Sequence, residues 1–221
     1  VGGIMGAGIM GLGFEKLVYG GLTKVFAGIV IAPIGGVIFG LLLTGLIITI
    51  FANRKPAIVN KTFGRLQIIS SAWFALTHGA NDGQKTMGII VLILFSAGLI
   101  PELEMPLWVI FAAATAMGLG TFFGGYKVIK TLGVKITKLK PYQGFAAETG
   151  GGIMLAIFAT LGIPASTTHA ITGTIMGAGA ARRKRAVRWN VSRQIVFSWI
   201  ITIPGSAAMG IGFTFLINLF V

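Results

Sequence analysis

Apolar residues dominate the chain in long runs, and polar residues are confined to a few short interruptions. The runs 25–52, 66–100, 107–126 and 191–221 each hold about 20 or more residues, the length a helix needs to cross the hydrocarbon core of a bilayer. The first segment, Val1–Gly13, is apolar and Gly-rich, with small residues at spacings that suit close helix packing. At about 35 residues, 66–100 is too long for one straight crossing at 1.5 Å per residue, and a break inside it is expected. Pro33 with Gly35-Gly36, and Pro204-Gly205, are expected to kink the spans that contain them.

The expected break coincides with a polar island, Leu76-Thr-His-Gly-Ala-Asn-Asp-Gly-Gln-Lys-Thr86. Charged side chains at membrane depth cost about 2.5–3.5 kcal/mol on insertion scales, so such residues mark a functional site by default. Gly79 and Gly83 would let the backbone unwind, which is tolerated at that depth only inside protein or beside a water-filled cavity.

Loop charge orders the spans. Lys and Arg gather in 53–65, in 127–140 and in the run Arg182-Arg-Lys-Arg185 with Arg188 and Arg193, whereas Pro101–Pro106 carries Glu102 and Glu104 and no cation. The basic loops are therefore cytoplasmic and the acidic one external. Tyr142–Ala181 is flanked by basic loops at both ends, which a single span cannot satisfy. A re-entrant hairpin can, with arms 143–161 and 170–181 around Gly162-Ile-Pro-Ala-Ser-Thr-Thr-His169; two full spans are the alternative.

An internal repeat accompanies this pattern. Gly2-Gly-Ile-Met-Gly-Ala-Gly8 matches Gly173-Thr-Ile-Met-Gly-Ala-Gly179 at six of seven positions, an offset of 171 residues that also brings Pro33 onto Pro204. By loop charge the spans that follow the two copies run in opposite directions, the signature of inverted-topology repeat transporters. The sequence thus predicts an all-α membrane protein with broken transmembrane helices and a re-entrant helical hairpin. Residues 1–52 form the end of a truncated first repeat, and 53–221 the second, with its broken helix at 66–100 and its hairpin at 142–181. On this offset the first repeat begins about 118 residues before Val1, and the partner of Ser166–His169 falls just ahead of it.

Composition narrows the class further. The chain has 221 residues, 55% hydrophobic and 10% charged, against about 25% charged in soluble domains. A net charge of +13 would suggest nucleic acid in a soluble protein; here the cations sit in loops and set topology, so no nucleic-acid partner is expected. There is no Cys, which excludes disulfides and thiolate metal sites, and no signal-peptide pattern.

The candidate chemistry is that of ions. Ser166, Thr167 and Thr168 stand just before an apolar helical arm, where hydroxyls and free N–H groups make an anion site; simple N-capping is the competing role. Asn81 and Asp82 offer hard oxygen ligands of the kind discontinuous helices give to Na⁺. Asp82 could instead carry a proton or pair with Lys85, and Lys85 could neutralise an anion or snorkel. Glu148, with Thr149 beside it, is a second cation ligand or the partner of a helix end. Gln84 is a secondary candidate. His78 and His169 lie beside the breaks without metal-ligand spacing, so capping or hydrogen bonding is expected of them and no metal site. The Arg182–Arg185 run could meet anionic lipid, although topology alone explains it. No phosphate loop, nucleotide fingerprint or Ser/His/Asp arrangement is present, and no cofactor or enzymatic activity is expected.

His78-Gly-Ala-Asn-Asp-Gly-Gln-Lys85 and Pro164-Ala-Ser-Thr-Thr-His169 together resemble the inorganic phosphate transporter (Pit) family, bacterial type, over its C-terminal portion; Glu148-Thr149 also looks like the family's pattern. The resemblance implies symport of inorganic phosphate with Na⁺ or H⁺ by alternating access, in a multi-pass and dimeric protein of the inner (plasma) membrane. It places Asn81 and Asp82 in the cation and phosphate site, and Ser166, Thr167 and Thr168 around phosphate or a coupled ion. Bacterial members are associated with metal–phosphate complexes, and some relatives are thought to carry sulfate. A second Gly-Ala-Asn-Asp and a second hairpin are expected in the family and absent from this sequence. The readings from other classes are a passive anion channel, without cation dependence, and a non-transporting membrane module, which leaves the two polar interruptions unexplained.

Overall fold

The computed structural model describes residues 1–220, with the side chains of 127–129, 131, 132 and 184 outside the description. Lys127 and Lys184, counted above among the loop cations, and Val221 therefore lie outside the described residues. Among the described residues seven α-helices follow in order: α1 (Gly2–Leu12), α2 (Tyr19–Ile50), α3 (Pro56–Ser96), α4 (Leu107–Lys130), α5 (Pro141–Thr160), α6 (Thr167–Arg182) and α7 (Trp189–Phe220). Among the described residues there is no strand. Three helical stretches, Tyr19–Ile50, Leu107–Tyr126 and Trp189–Phe220, are long and apolar enough to cross a membrane. They expose large apolar side chains such as Ile31, Leu42, Phe122 and Phe215, as lipid-facing helices do. Both α2 and α7 run on as helices through Pro33 and Pro204.

The predicted break at 78–86 is absent. Helix α3 runs unbroken for 41 residues through Gly79 and Gly83, and among the described residues the glycines with positive φ are Gly13, Gly98 and Gly162. The polar island does not need an unwound backbone. Asp82 lies one turn from both His78 and Lys85, so partners at i−4 and i+3 meet it on one helix face. Each glycine lowers helix propensity by about 1 kcal/mol, too little to open a 41-residue helix packed along its length. The helix ends instead at Ser96, where Gly98 at φ 70° lets the Leu99 N–H donate back to the Leu94 carbonyl.

The predicted hairpin is present as α5 and α6. Gly162, at φ 62°, makes the turn, with the Ile163 N–H donating to the Phe158 carbonyl. The Gln143 amide at the start of α5 donates to the Ala178 carbonyl near the end of α6 at 2.8 Å, which ties the two open ends together. Ala32 from α2 packs with Met154, Leu155 and Phe158 from α5 and with Ala165 and Ala170 around the tip. Helix α6 is buried on nearly all sides.

Two compact units divide the chain, 1–24 with 188–221 and 25–187, and the same packing recurs in each. In the larger unit, a Cβ at Gly40 of α2 would overlap the Thr174 carbonyl oxygen of α6 and lie 2.9 Å from the Ala178 nitrogen. In the smaller, a Cβ at Gly210 of α7 would overlap the Gly3 carbonyl oxygen of α1 and lie 3.1 Å from the Ala7 nitrogen. Gly177 faces the Val37 backbone as Gly6 faces that of Ala207. Helices α1 and α6 correspond at the offset of 171, whereas α2 and α7, both 32 residues long, correspond at 170. Between corresponding packing positions the second stretch of chain is one residue shorter, so Pro33 is matched by Ile203 and not by Pro204: Gly173 meets the Pro33 carbonyl and Gly2 the Ile203 carbonyl.

Candidate ion site

The tip of the hairpin lies against the polar stretch of α3. The Lys85 ammonium donates to the Ala165 carbonyl at 2.6 Å and to Asp82 Oδ1 at 2.9 Å. Thr167, the first residue of α6, donates from Oγ1 to Asp82 Oδ2 at 3.0 Å. His78 Nδ1 lies 3.7 Å from the same oxygen. One carboxylate and one ammonium on α3 thus hold the turn that starts α6. The N–H groups of Thr167 and Thr168 have no intrahelical acceptor, and the helix dipole adds partial positive charge there.

A second carboxylate is held further along the hairpin, away from its tip. Glu148 of α5 accepts from Ser70 Oγ at 2.6 Å, Ser71 Oγ at 2.9 Å and Gln67 Nε2 at 3.2 Å, all on α3. Its partners are side chains of a neighbouring helix and not a helix end. Positions 67, 70 and 71 share one face of α3 by the i, i+3, i+4 rule. Between Ser71 and Asp82 α3 rises about 16 Å, so the two carboxylates mark separate levels of one helix.

A cavity of about 990 Å³ joins these levels. Gln67, Ser71, His78, Glu148, Thr167 and Thr168 line it, with Lys140 at one end and a small-residue wall of Gly120, Gly124 and Gly125 from α4. The sequence-predicted residues divide accordingly. His78, Glu148, Thr167 and Thr168 face the cavity, and Asp82 and Lys85 reach it through Thr167 and His78. Asn81 is buried, with Nδ2 unpartnered among the described residues, and does not line the cavity. Neighbouring residues on a helix point about 100° apart, and here Asn81 turns away while Asp82 meets Thr167 and His78. Gln84 is exposed away from it, and Thr149 is half-buried beside Glu148.

Ser166 caps α6: its Oγ accepts from the His169 N–H at 3.4 Å, the capping role weighed for it. His169 is buried and hydrogen-bonds the backbone of Ile29 in α2, a structural anchor for the hairpin. Sequence reasoning missed Gln67, Ser70 and Ser71. Their signal was present as three polar residues at helical spacing within the otherwise apolar run 66–75. Among the described residues no group of three or more His, Cys, Asp or Glu could hold a metal ion.

The chain resembles known proteins along nearly its whole length. It is 48% identical over 208 residues to a probable low-affinity inorganic phosphate transporter of Rhizobium meliloti, covering 94% of this chain and 62% of that protein. It is 40% identical over 220 residues to the protein of the same description in Bacillus subtilis, covering 99% of this chain and 66% of the other. The chain therefore spans a little under two thirds of the length of these relatives. Among solved structures, one described as the sodium-dependent phosphate transporter shares the fold at a TM-score of 0.84 and 24% identity, covering all of this chain and 72% of that one. The model of the phosphate transporter family matches residues 1–210, and the chain, a helical membrane protein, belongs to that family.

Proposed function

We propose that this chain works in a secondary active transporter that moves inorganic phosphate together with Na⁺ or H⁺. The observation that carries the reading is Asp82, a carboxylate held at 2.9 Å by Lys85 and at 3.0 Å by Thr167, at the point where α6 presents its free N–H groups. An anion needs the positive end of a helix and a cation needs a carboxylate; here both stand within one helical turn. Occupation of either site lowers the electrostatic cost of occupying the other, which is the physical basis of coupled transport. The cavity wall supplies Thr168 as a further hydroxyl and Glu148 as a second carboxylate. The relatives described as inorganic phosphate transporters favour phosphate over sulfate, and the structural neighbour's description favours Na⁺.

In this reading the protein sits in the plasma membrane with several crossings. Its two repeats run in opposite directions and rock about a site at mid-depth, and two copies form a dimer. Phosphate enters free or as a neutral metal–phosphate complex. The test is radiolabelled phosphate uptake by the intact protein in proteoliposomes, with Na⁺ and proton gradients imposed separately and sulfate as competitor. Uptake driven by one gradient and resisted by sulfate supports the reading and names the ion. Saturation-free uptake that ignores both gradients would replace it with a passive channel, and preference for sulfate with a sulfate carrier.

A further inference from the structure

A second, smaller cavity of about 220 Å³ opens where α2 and α6 end and where α3 and α5 begin. Its walls divide into two chemistries. Ile47, Ile48 and Phe51 form an apolar side, and Arg54, Lys140 and Arg182 place three cations around the other. The floor is firmly packed: Phe63 meets Phe51 at 5.3 Å and Phe145 at 5.2 Å between ring centroids, both edge to face. None of the chain's five carboxylates lines the cavity, and among the described residues both ion pairs belong to Asp82.

Two helix starts add to the positive field. Pro56, the first residue of α3, lines the cavity, as do Lys140 and Tyr142 on either side of the first residue of α5, and the helix dipoles there favour an anion. Asn60 also lines it, with a buried Oδ1 that has no partner among the described residues. A half-turn of that amide puts the Nδ2 donor in the same place, because the two ends of a carboxamide are assigned by their partners. Topology requires cations near the helix ends on this side of the membrane, but it does not require three separate segments to bring theirs to one hollow.

We propose that this cavity binds a phosphate-bearing anion at the membrane surface. The headgroup of an anionic phospholipid, with its acyl chain along Ile47 and Ile48, and free phosphate are the two sources of that chemistry. Arginine and lysine around a pocket beside a membrane surface are the usual means of holding such a group. Lys140 lines this cavity and the large one alike, so an anion here also changes the charge facing the ion site. The proposal needs only a membrane-embedded protein and stands apart from any transport activity.

The test compares the intact wild-type protein with Arg54→Gln/Arg182→Gln and Arg54→Lys/Arg182→Lys. Phosphatidylglycerol and phosphatidylcholine bound per protein after detergent extraction are counted by native mass spectrometry. Phosphate binding is then measured in lipid-free micelles with radiolabelled inorganic phosphate. For a lipid occupant, the Gln variant loses at least tenfold in phosphatidylglycerol retention while the Lys variant keeps it. For free phosphate, the Gln variant binds one equivalent less than wild type. Equal lipid retention together with equal phosphate stoichiometry in wild type and Gln variant overturns the site. If the Gln variant does not fold, the wild type decides. A tenfold preference for phosphatidylglycerol over phosphatidylcholine, or more than one bound equivalent of phosphate in lipid-free micelles, then supports the site, and equal lipid retention together with no more than one equivalent overturns it.

Discussion

The Asp82–Lys85 pair admits two roles that one double-mutant cycle separates. The perturbations are Asp82→Asn, Lys85→Met and the two combined. The paired side chains are 30% and 40% exposed, so the pair belongs with partly solvated ion pairs and not with fully buried ones. Its direct coupling is then about 0.5–1 kcal/mol, well short of the 3–5 kcal/mol that follows from stranding one partner of a deeply buried pair. Each single variant also disturbs one charge-assisted hydrogen bond, Thr167 on Asp82 or Lys85 on the Ala165 carbonyl, at about 1.5 kcal/mol apiece. Single variants should therefore lose about 2–2.5 kcal/mol of stability, and the double variant should recover the coupling term, since non-additivity between touching residues measures their interaction. Thermal unfolding of the purified protein reads that half. Gradient-driven phosphate uptake in proteoliposomes reads the other: Asp82→Asn should abolish it, and the double variant should stay inactive although its stability is partly restored. Wild-type uptake by the double variant, with unchanged ion dependence, would refute the coupling role and leave Asp82 as one half of a structural ion pair.

Two further outcomes follow from the same geometry. Thr167→Ala removes the hydroxyl that bridges α6 to Asp82 and should raise the apparent Km for phosphate in the same uptake assay; an unchanged Km would reduce Thr167 to its place in the first helical turn. Gly40→Ala and Gly210→Ala each push a methyl into a facing carbonyl and should cost about 1–3 kcal/mol by overpacking, read as a lower unfolding temperature. Unchanged melting in both variants would contradict the close crossing of these helices.

Much of the fold was legible because burial in lipid leaves a strong one-dimensional trace. The spans at 107–126 and 191–221 and the hairpin at 142–181 fall within a few residues of α4, α7 and the α5–α6 pair. Loop charge pointed to the helix pair, since basic residues flank both its ends. The error at 78–86 came from treating charge as a reason to unwind. A carboxylate can find its partners one turn away on its own helix and across at α6, and those partners, from a segment 80 residues distant in sequence, were invisible in the local pattern. Gln67, Ser70 and Ser71 escaped for a similar reason, since isolated hydroxyls and amides in an apolar run draw notice only once Glu148 is seen to meet them. The one-residue shift between the two similar helix pairs was hidden too, because an ungapped comparison rewards Pro33 on Pro204 while packing follows the glycines.

The pairing of α1 with α7 has a consequence for biogenesis. Gly6 meets Ala207 at the far end of the chain, so the two helices of that unit emerge from the ribosome some two hundred residues apart. Chain closure over such a loop costs little more entropy than over a short one, growing only with the logarithm of its length, but synthesis at about 5–20 residues per second sets a delay of roughly 10–40 s. Throughout that interval α1 waits for α7, whereas α6 emerges when α2 is already in place. The unit at 25–187 can thus consolidate during insertion, and the unit that joins α1 to α7 can form only after the final helix has been delivered to the bilayer.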